Sequence, residues 1–294
     1  MEAVIQILTY GIMVGSLYAL IGMGFSLIFS VMKYVNIAQG TFIMLGGYAC
    51  FFLFKYLKID PYISIPAVMI IMFLIGMALY KVLFSRLMDL PVGLRLNNSM
   101  LITFGLIWVL DNLATLLWTS DVRSVTTSYT GEVINLAGVR LSYTGIAGVV
   151  LAVIFITALH LLLTRTYFGK AVRAATQDAE AAGLSGINVH RTFLISCGIG
   201  IALAGIAGVV ITVSYYISPS GGLAWLLVAM VVVVLAGEEN VNWVFPAGLL
   251  VGLVEAVSVF VTGASYREAV SLLLFITVLV FKPEGLFAKG SRGE

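Results

Sequence analysis

Two carboxylates, Asp111 and Glu255, fall inside apolar runs long enough to cross a bilayer. An ionisable group at the centre of such a helix costs at least ~2.5 kcal/mol on insertion scales, so it turns to a bundle interior, to water or to a polar partner. Asp111 stands beside Asn112, one turn after Trp108. It either borders a polar path or hydrogen-bonds to a neighbouring helix, and Glu255 admits the same two roles. Asn36, Gln39 and Thr41 surround Gly40 where the first two apolar runs break. Amides around a glycine can present backbone dipoles to a ligand or shape a tight helix entry. The basic-residue count given below puts this break near the cytoplasm, which favours a structural or gating role. Asn97, Asn98, Ser99 and Thr103 open the fourth run, where Asn97 or Asn98 would serve as an N-cap. Asn36, Gln39, Asn98, Asp111 and Glu255 together form the candidate set for a translocation path or gate.

Hydrolytic chemistry is not written here. The chain has no HExxH, no GxxxxGK[ST] and no nucleophile–base pairing. It is therefore not expected to be an enzyme, to hydrolyse ATP by itself or to bind a cofactor. His160 and His190 have no partner at metal-ligand spacing. Cys50 and Cys197 lie within apolar runs and read as small core residues. Nothing points to nucleic acid; the net charge is only +2.

The elements that carry these residues are set by composition. Of 294 residues, 61% are hydrophobic and 10% charged, and the mean hydropathy is +1.09. No charged residue occurs between Arg191 and Glu238. A bilayer core ~30 Å thick needs about 20 apolar residues in a helix. The spans expected are Val4–Met32, Ile37–Phe54, Tyr62–Leu83, Ser99–Thr119, Leu141–Thr164, Thr192–Ile217, Leu223–Ala236, Val241–Thr262 and Ala269–Phe281. Leu223–Ala236 is short and follows Pro219, Gly221 and Gly222, so it is either a re-entrant piece or a short tilted helix. The expected fold is an all-α polytopic helix bundle of about eight transmembrane helices, with that segment as a ninth. The runs are continuous and too long for a β-barrel. The first run far exceeds a signal-peptide core and reads as a retained helix.

If every span crosses, Lys33, Lys81, Arg86, Arg95, Arg165, Lys170, Arg173, Arg191, Lys282, Lys289 and Arg292 share one side. Lys55, Lys58, Arg123, Arg140 and Arg267 take the other. Basic residues favour the cytoplasm, so the first residues are placed outside and the last inside. Small residues at four-residue spacing (Gly11, Gly15, Ala19; Gly200, Ala204, Gly208; Gly248, Gly252, Ala256) form stripes for close helix crossing.

The basic connection 165–191 reads RTYFGKAVRAATQDAEAAGLSGINVHR. Ala171, Ala175, Ala179, Ala182 and Gly186 recur three or four apart and would line one nearly bare helix face. Such a face would let another protein's backbone come close. A lipid-surface helix would instead carry Leu, Phe or Trp there. The plain reading is a solvated connector.

Glu180-Ala181-Ala182 with Gly186 resembles the first half of the EAA signature of ABC importer permeases, without its later apolar–Pro element. Three blocks resemble the branched-chain amino acid (Liv-type) branch: GSLYALIGMGFSLIFSVMKYVNIAQGTFIMLGGYA from Gly15, GKAVRAATQDAEAAGLSGIN from Gly169 and KPEGLF from Lys282. With their spacing the likeness covers nearly the whole chain. It implies one transmembrane permease domain over residues 1–294 in the inner membrane. It further implies a second homologous permease subunit, two cytoplasmic ATP-binding subunits that use the ATP, and a periplasmic substrate-binding protein. The loop 165–191, with Arg173, Asp178, Glu180, Ala181, Ala182 and Gly186, would couple to the ATPases. The implied cargo is a branched-chain or other small apolar amino acid, moved by ATP-driven alternating access. The alternatives are urea or a short amide, or a stand-alone ion-coupled transporter with Asp111 as its key carboxylate. The chain departs from the family at Gln39, where His is frequent, and at Glu238 and Glu239, where the turn is normally uncharged.

Overall fold

The computed structural model describes residues 2–88, 90–136, 138–237, 241–263, 266–282 and 285–287. Glu238, Glu239, Asn240, Lys289 and Arg292 lie outside the described residues. The helices are α1 (Glu2–Met32), α2 (Gln39–Leu57), α3 (Ile65–Leu79), α4 (Val92–Trp118), α5 (Tyr143–Arg165), α6 (Tyr167–Gln177), α7 (Ala179–Leu184), α8 (Val189–Ser214), α9 (Gly222–Ala236), α10 (Val244–Thr262) and α11 (Arg267–Phe281). Eight helical stretches are long and apolar enough to cross a membrane, and the ninth, Ala269–Phe281, is shorter. This is a polytopic all-α membrane protein. Length thus singles out the last helix as the short one, because Pro219–Gly221 adds a 3-10 turn in front of α9.

The small-residue stripes meet as backbone contacts. A Cβ on Gly252 would lie 2.3 Å from the Gly15 Cα, and one on Gly248 would lie 2.6 Å from the Ala19 nitrogen. The Gly11–Ala19 stripe of α1 therefore interlocks with the Gly248–Ala256 stripe of α10, antiparallel. On α8, Gly200 faces Gly24 of α1, while Gly205 and Gly208 face Gly46 and Gly47 of α2. Without a hydrophobic driving force in lipid, such close approach is what holds helices together. It buries most of α1 and α8 at the centre, whereas α4 and α5 stay largely uncovered.

The order of elements repeats with opposite sense. α1 ends at Met32 and α2 begins after six non-helical residues; α8 ends at Ser214 and α9 follows a comparable break. α1 packs antiparallel on α10, and α3 packs antiparallel on α8 through Gly76 against Cys197 and Gly198. α1–α4 and α8–α11 are thus like-connected halves, inverted by the single crossing of α5 between them.

One end of the bundle carries a two-stranded antiparallel hairpin, β1 (Val133–Leu136) and β2 (Val139–Ser142). Gln6 locks it to α1, donating to the Arg140 carbonyl at 2.9 Å and accepting from the Arg140 amide at 2.8 Å. Leu141, expected in a helix, is on β2. The alternation VINL–AG–VRLS was a hairpin signal that the search for apolar runs passed over. The opposite end holds Lys33, Arg86, α6 and α7. The last turn of α9 also belongs there, because Val241 and Asn242, just beyond it, line one pocket with Lys33, Gly169 and Arg173. α9 therefore runs on to that end and does not double back.

Candidate functional site

The break after α1 leads from the Lys33 end into the bundle. Tyr34, Asn36, Ala38 and Gln39 are buried. Gln39 Nε2 donates to the carbonyl of Gly200 at 3.4 Å. Gly200 is the twelfth residue of α8, about 17 Å along a helix rising 1.5 Å per residue. The break thus leaves from the end that holds Lys33, and the chain turns back and restarts its helix in the interior. Apolar residues Tyr34, Val35, Ile37 and Ala38 hid this. The exposed amides of such a stretch need partners, and α4 supplies them. Ser99 Oγ accepts from the Val35 amide and Thr103 Oγ1 from the Ile37 amide, each at 3.1 Å.

The start of α9 meets the start of α2 at this depth. A Cβ on Gly40 would fall 1.9 Å from the Gly222 carbonyl oxygen. Two helix N-termini, each with amides to satisfy and a positive dipole end, abut there. Thr41, in the first turn of α2, donates through Oγ1 to Asp111 Oδ1 at 3.2 Å. Asp111 is half-buried beside that positive end. Asn36 Nδ2 donates to Gln39 Oε1 at 3.2 Å. Asn36, Gln39 and Asp111 thus gather at one joint. Asn98 does not join them in any hydrogen bond and is not an N-cap: α4 begins at Val92, after Pro91. Proline fixes an entry φ and lacks an amide, so the helix starts six residues earlier than the Asn pair implied.

Glu255 belongs to a second cluster, nearer the hairpin end. Its carboxylate ion-pairs through Oε1 with Arg267 Nε. Oε2 accepts from the Tyr18 hydroxyl at 2.7 Å and from Ser271 Oγ at 3.4 Å. Arg267 Nη2 also donates to the Tyr18 oxygen at 2.6 Å. The cluster ties α1, α10 and α11 and borders a cavity of about 340 Å³. Arg267, expected only as one of the basic residues on the outer side, is a partner in this cluster. The signal passed over was the spacing: a Glu in one span and an Arg opening the next, with a short turn between, can face each other.

The 165–191 connection is two helices, not one. Asp178 breaks it with extended backbone and caps α7, its Oδ1 accepting from the amides of Glu180 at 2.9 Å and Ala181 at 3.0 Å. Gly186 closes α7 with φ +82°, while the Ile187 amide reaches the Ala182 carbonyl at 3.0 Å. Such a left-handed stop suits glycine. The small face is not wholly free either. Ala171, Ala175 and Ala182 are buried against the chain's own bundle, so these three do not form the bare face expected, whereas Ala179 is half-buried and Gly186 exposed. What the connection exposes is Tyr167, Arg173, Asp178, Glu180, Ala181, Leu184 and Gly186, with Leu184 88% exposed. Among the described residues no group of three or more His, Cys, Asp or Glu could hold a metal ion.

Residues 7–279 match the family described as branched-chain amino acid transport system permease component. The chain belongs to that family. Similar proteins include the high-affinity branched-chain amino acid transport system permease protein BraD of Pseudomonas aeruginosa, 29% identical over 97% of this chain and 96% of that one. The corresponding LivH of Escherichia coli K12 is 28% identical over 95% and 94%. A shorter likeness, 30% over 40% of this chain and 31% of the relative, joins it to the nucleoside ABC transporter permease protein NupB of Lactococcus lactis. No solved structure matches. The two clusters hold polar side chains inside the helix bundle of this permease.

Proposed function

We propose that this chain is one permease subunit of an ABC importer of the inner membrane that carries a branched-chain or other small apolar amino acid. Full-length likeness to BraD and LivH is the observation that carries this reading. In it a second homologous permease completes the path, a periplasmic binding protein delivers cargo at the hairpin end, and two cytoplasmic ATPases bind at the α6–α7 end and use the ATP. The chain itself binds no cofactor. Coupling falls to the exposed residues of the connection, Arg173, Asp178, Glu180, Ala181, Leu184 and Gly186. Ala182 supports them from below. Movement of α6 and α7 would be passed to α8, whose N-terminus follows directly.

The test is uptake of labelled leucine into proteoliposomes holding the permease pair and its ATPases. Uptake that needs ATP and the binding protein supports the reading. Uptake by this chain without ATPases, driven by an ion gradient, overturns it in favour of an ion-coupled carrier. The variant L184E is expected to cut uptake at least tenfold while insertion is unchanged. The NupB likeness makes a nucleoside the competing cargo, and the same vesicles loaded with labelled uridine decide between them.

A further inference from the structure

The Tyr18–Glu255–Arg267 cluster is asymmetric, and the asymmetry points into the cavity. The Glu255 side chain is 2% exposed and the Arg267 side chain 28%. Both Glu255 oxygens are occupied, by Arg267, Tyr18 and Ser271. A guanidinium carries five N–H donors in a fixed fork that suits a carboxylate. The bonds to Glu255 and Tyr18 run through Nε and Nη2. Arg267 also lines the cavity. Trp225, Val228, Val231 and Leu272 make the rest of the wall mostly apolar, with the hydroxyls of Ser218 and Ser271 among them. The Tyr215 ring centroid lies 5.9 Å from the guanidinium carbon. Tyr18 both donates to the glutamate and accepts from the arginine, which fixes the guanidinium in place. The cluster is electrically neutral as a whole, so a ligand that is itself neutral overall but dipolar fits better than a free anion.

We propose that this cavity is a way-station for the amino acid cargo. The guanidinium edge that Glu255 and Tyr18 leave, which the Tyr215 hydroxyl also meets, takes the α-carboxylate, the Trp225 ring accepts the ammonium group, and Val228, Val231 and Leu272 meet the aliphatic side chain. Glu255 and Tyr18 are positioning residues that hold the arginine. The proposal rests on the amino acid reading above and adds where the cargo rests and what holds it. A paired charge inside a membrane helix bundle explains the bond but not the part-exposed arginine side chain on the wall of a largely apolar chamber. Those two features together match the two ends of a leucine molecule.

The experiment uses the complete reconstituted importer with its binding protein. Removing Arg267 alone leaves Glu255 buried and uncompensated, so the first variant is the double neutral change E255Q/R267Q. Its assembly is checked by co-purification of the ATPases and by its melting temperature. The expected result is intact assembly with leucine uptake at least tenfold lower. The second variant, L272A, enlarges the apolar wall without touching the charges. It is expected to shift the leucine-to-phenylalanine ratio of kcat/KM toward phenylalanine by about three- to tenfold, an effect that a merely structural ion pair would not produce. Wild-type uptake of leucine together with unchanged uptake by E255Q/R267Q, or with an unchanged ratio in L272A, overturns the way-station and leaves the importer reading intact. Wild-type vesicles that carry no amino acid overturn both.

Discussion

At the scale of single residues, the bundle is held by what glycine omits. Adding a side chain at Gly252 must push α10 off α1, because its Cβ would sit 2.3 Å from the Gly15 Cα. Overpacking of this kind costs about 1–3 kcal/mol. The variant G252L is expected to lose at least that much in a reversible unfolding assay in mixed micelles. G105A is the control, since nothing lies within 4 Å of a Cβ there, and is expected to match or exceed the wild type. Asp111 offers a second measurement. Thr41 donates to it across helices, so the pair T41V and D111N, taken singly and together, is expected to show a coupling of about 1 kcal/mol. Additive effects would mean that Asp111 serves something other than the α2 joint. The stripes themselves were legible in the sequence because four-residue spacing alone puts small residues on one helix face. Arg267 was not legible as a site residue, because its partner became a neighbour only through the turn between α10 and α11.

At the scale of elements, the informative feature is the interior break between α1 and α2. Its backbone donors have no helix to serve them, so α4 stands in with two hydroxyls. The variant T103V keeps the shape of the side chain but removes the acceptor for the Ile37 amide. Leaving a buried amide unpaired costs about 1–3 kcal/mol. The expected outcome is a lower melting temperature in nanodiscs and faster hydrogen exchange at Ile37; unchanged exchange would show that Thr103 is not what satisfies the break. Apart from the start of α4 at Val92, apolar runs of twenty residues gave the spans to within a few positions, since hydrocarbon thickness sets their length. The break after Met32 was legible as well, but its return into the bundle was not, because Tyr34, Val35, Ile37 and Ala38 are as apolar as a helix in lipid would be. The connection 165–191 was legible only in part for a related reason. Periodicity finds a small face but does not say which way it turns, and here Ala171, Ala175 and Ala182 turn to the bundle.

At the scale of the whole molecule, sidedness follows from which loops share an end. Lys33, Arg86 and the α6–α7 connection lie together, opposite the β-hairpin. Cysteine replacements at Ser185 and Thr130, both outside the long helices, are expected to react with a membrane-impermeant maleimide from opposite sides, Thr130→Cys in intact cells and Ser185→Cys only in inverted vesicles. Labelling of both from one side would remove the odd number of crossings between them and with it the inverted relation of the two halves. The uneven covering of the helices bears on motion as well. Where α1 meets α10 and α8 meets α2, backbone approaches backbone too closely for an added side chain. α4 and α5 instead leave most of their surface uncovered by the rest of this chain, where hydrocarbon can reach them. Any stroke this protein makes must be taken up at those margins, so its speed is tied to the ordering of the surrounding acyl chains, and a stiffened lipid would slow the machine without touching a residue of its centre.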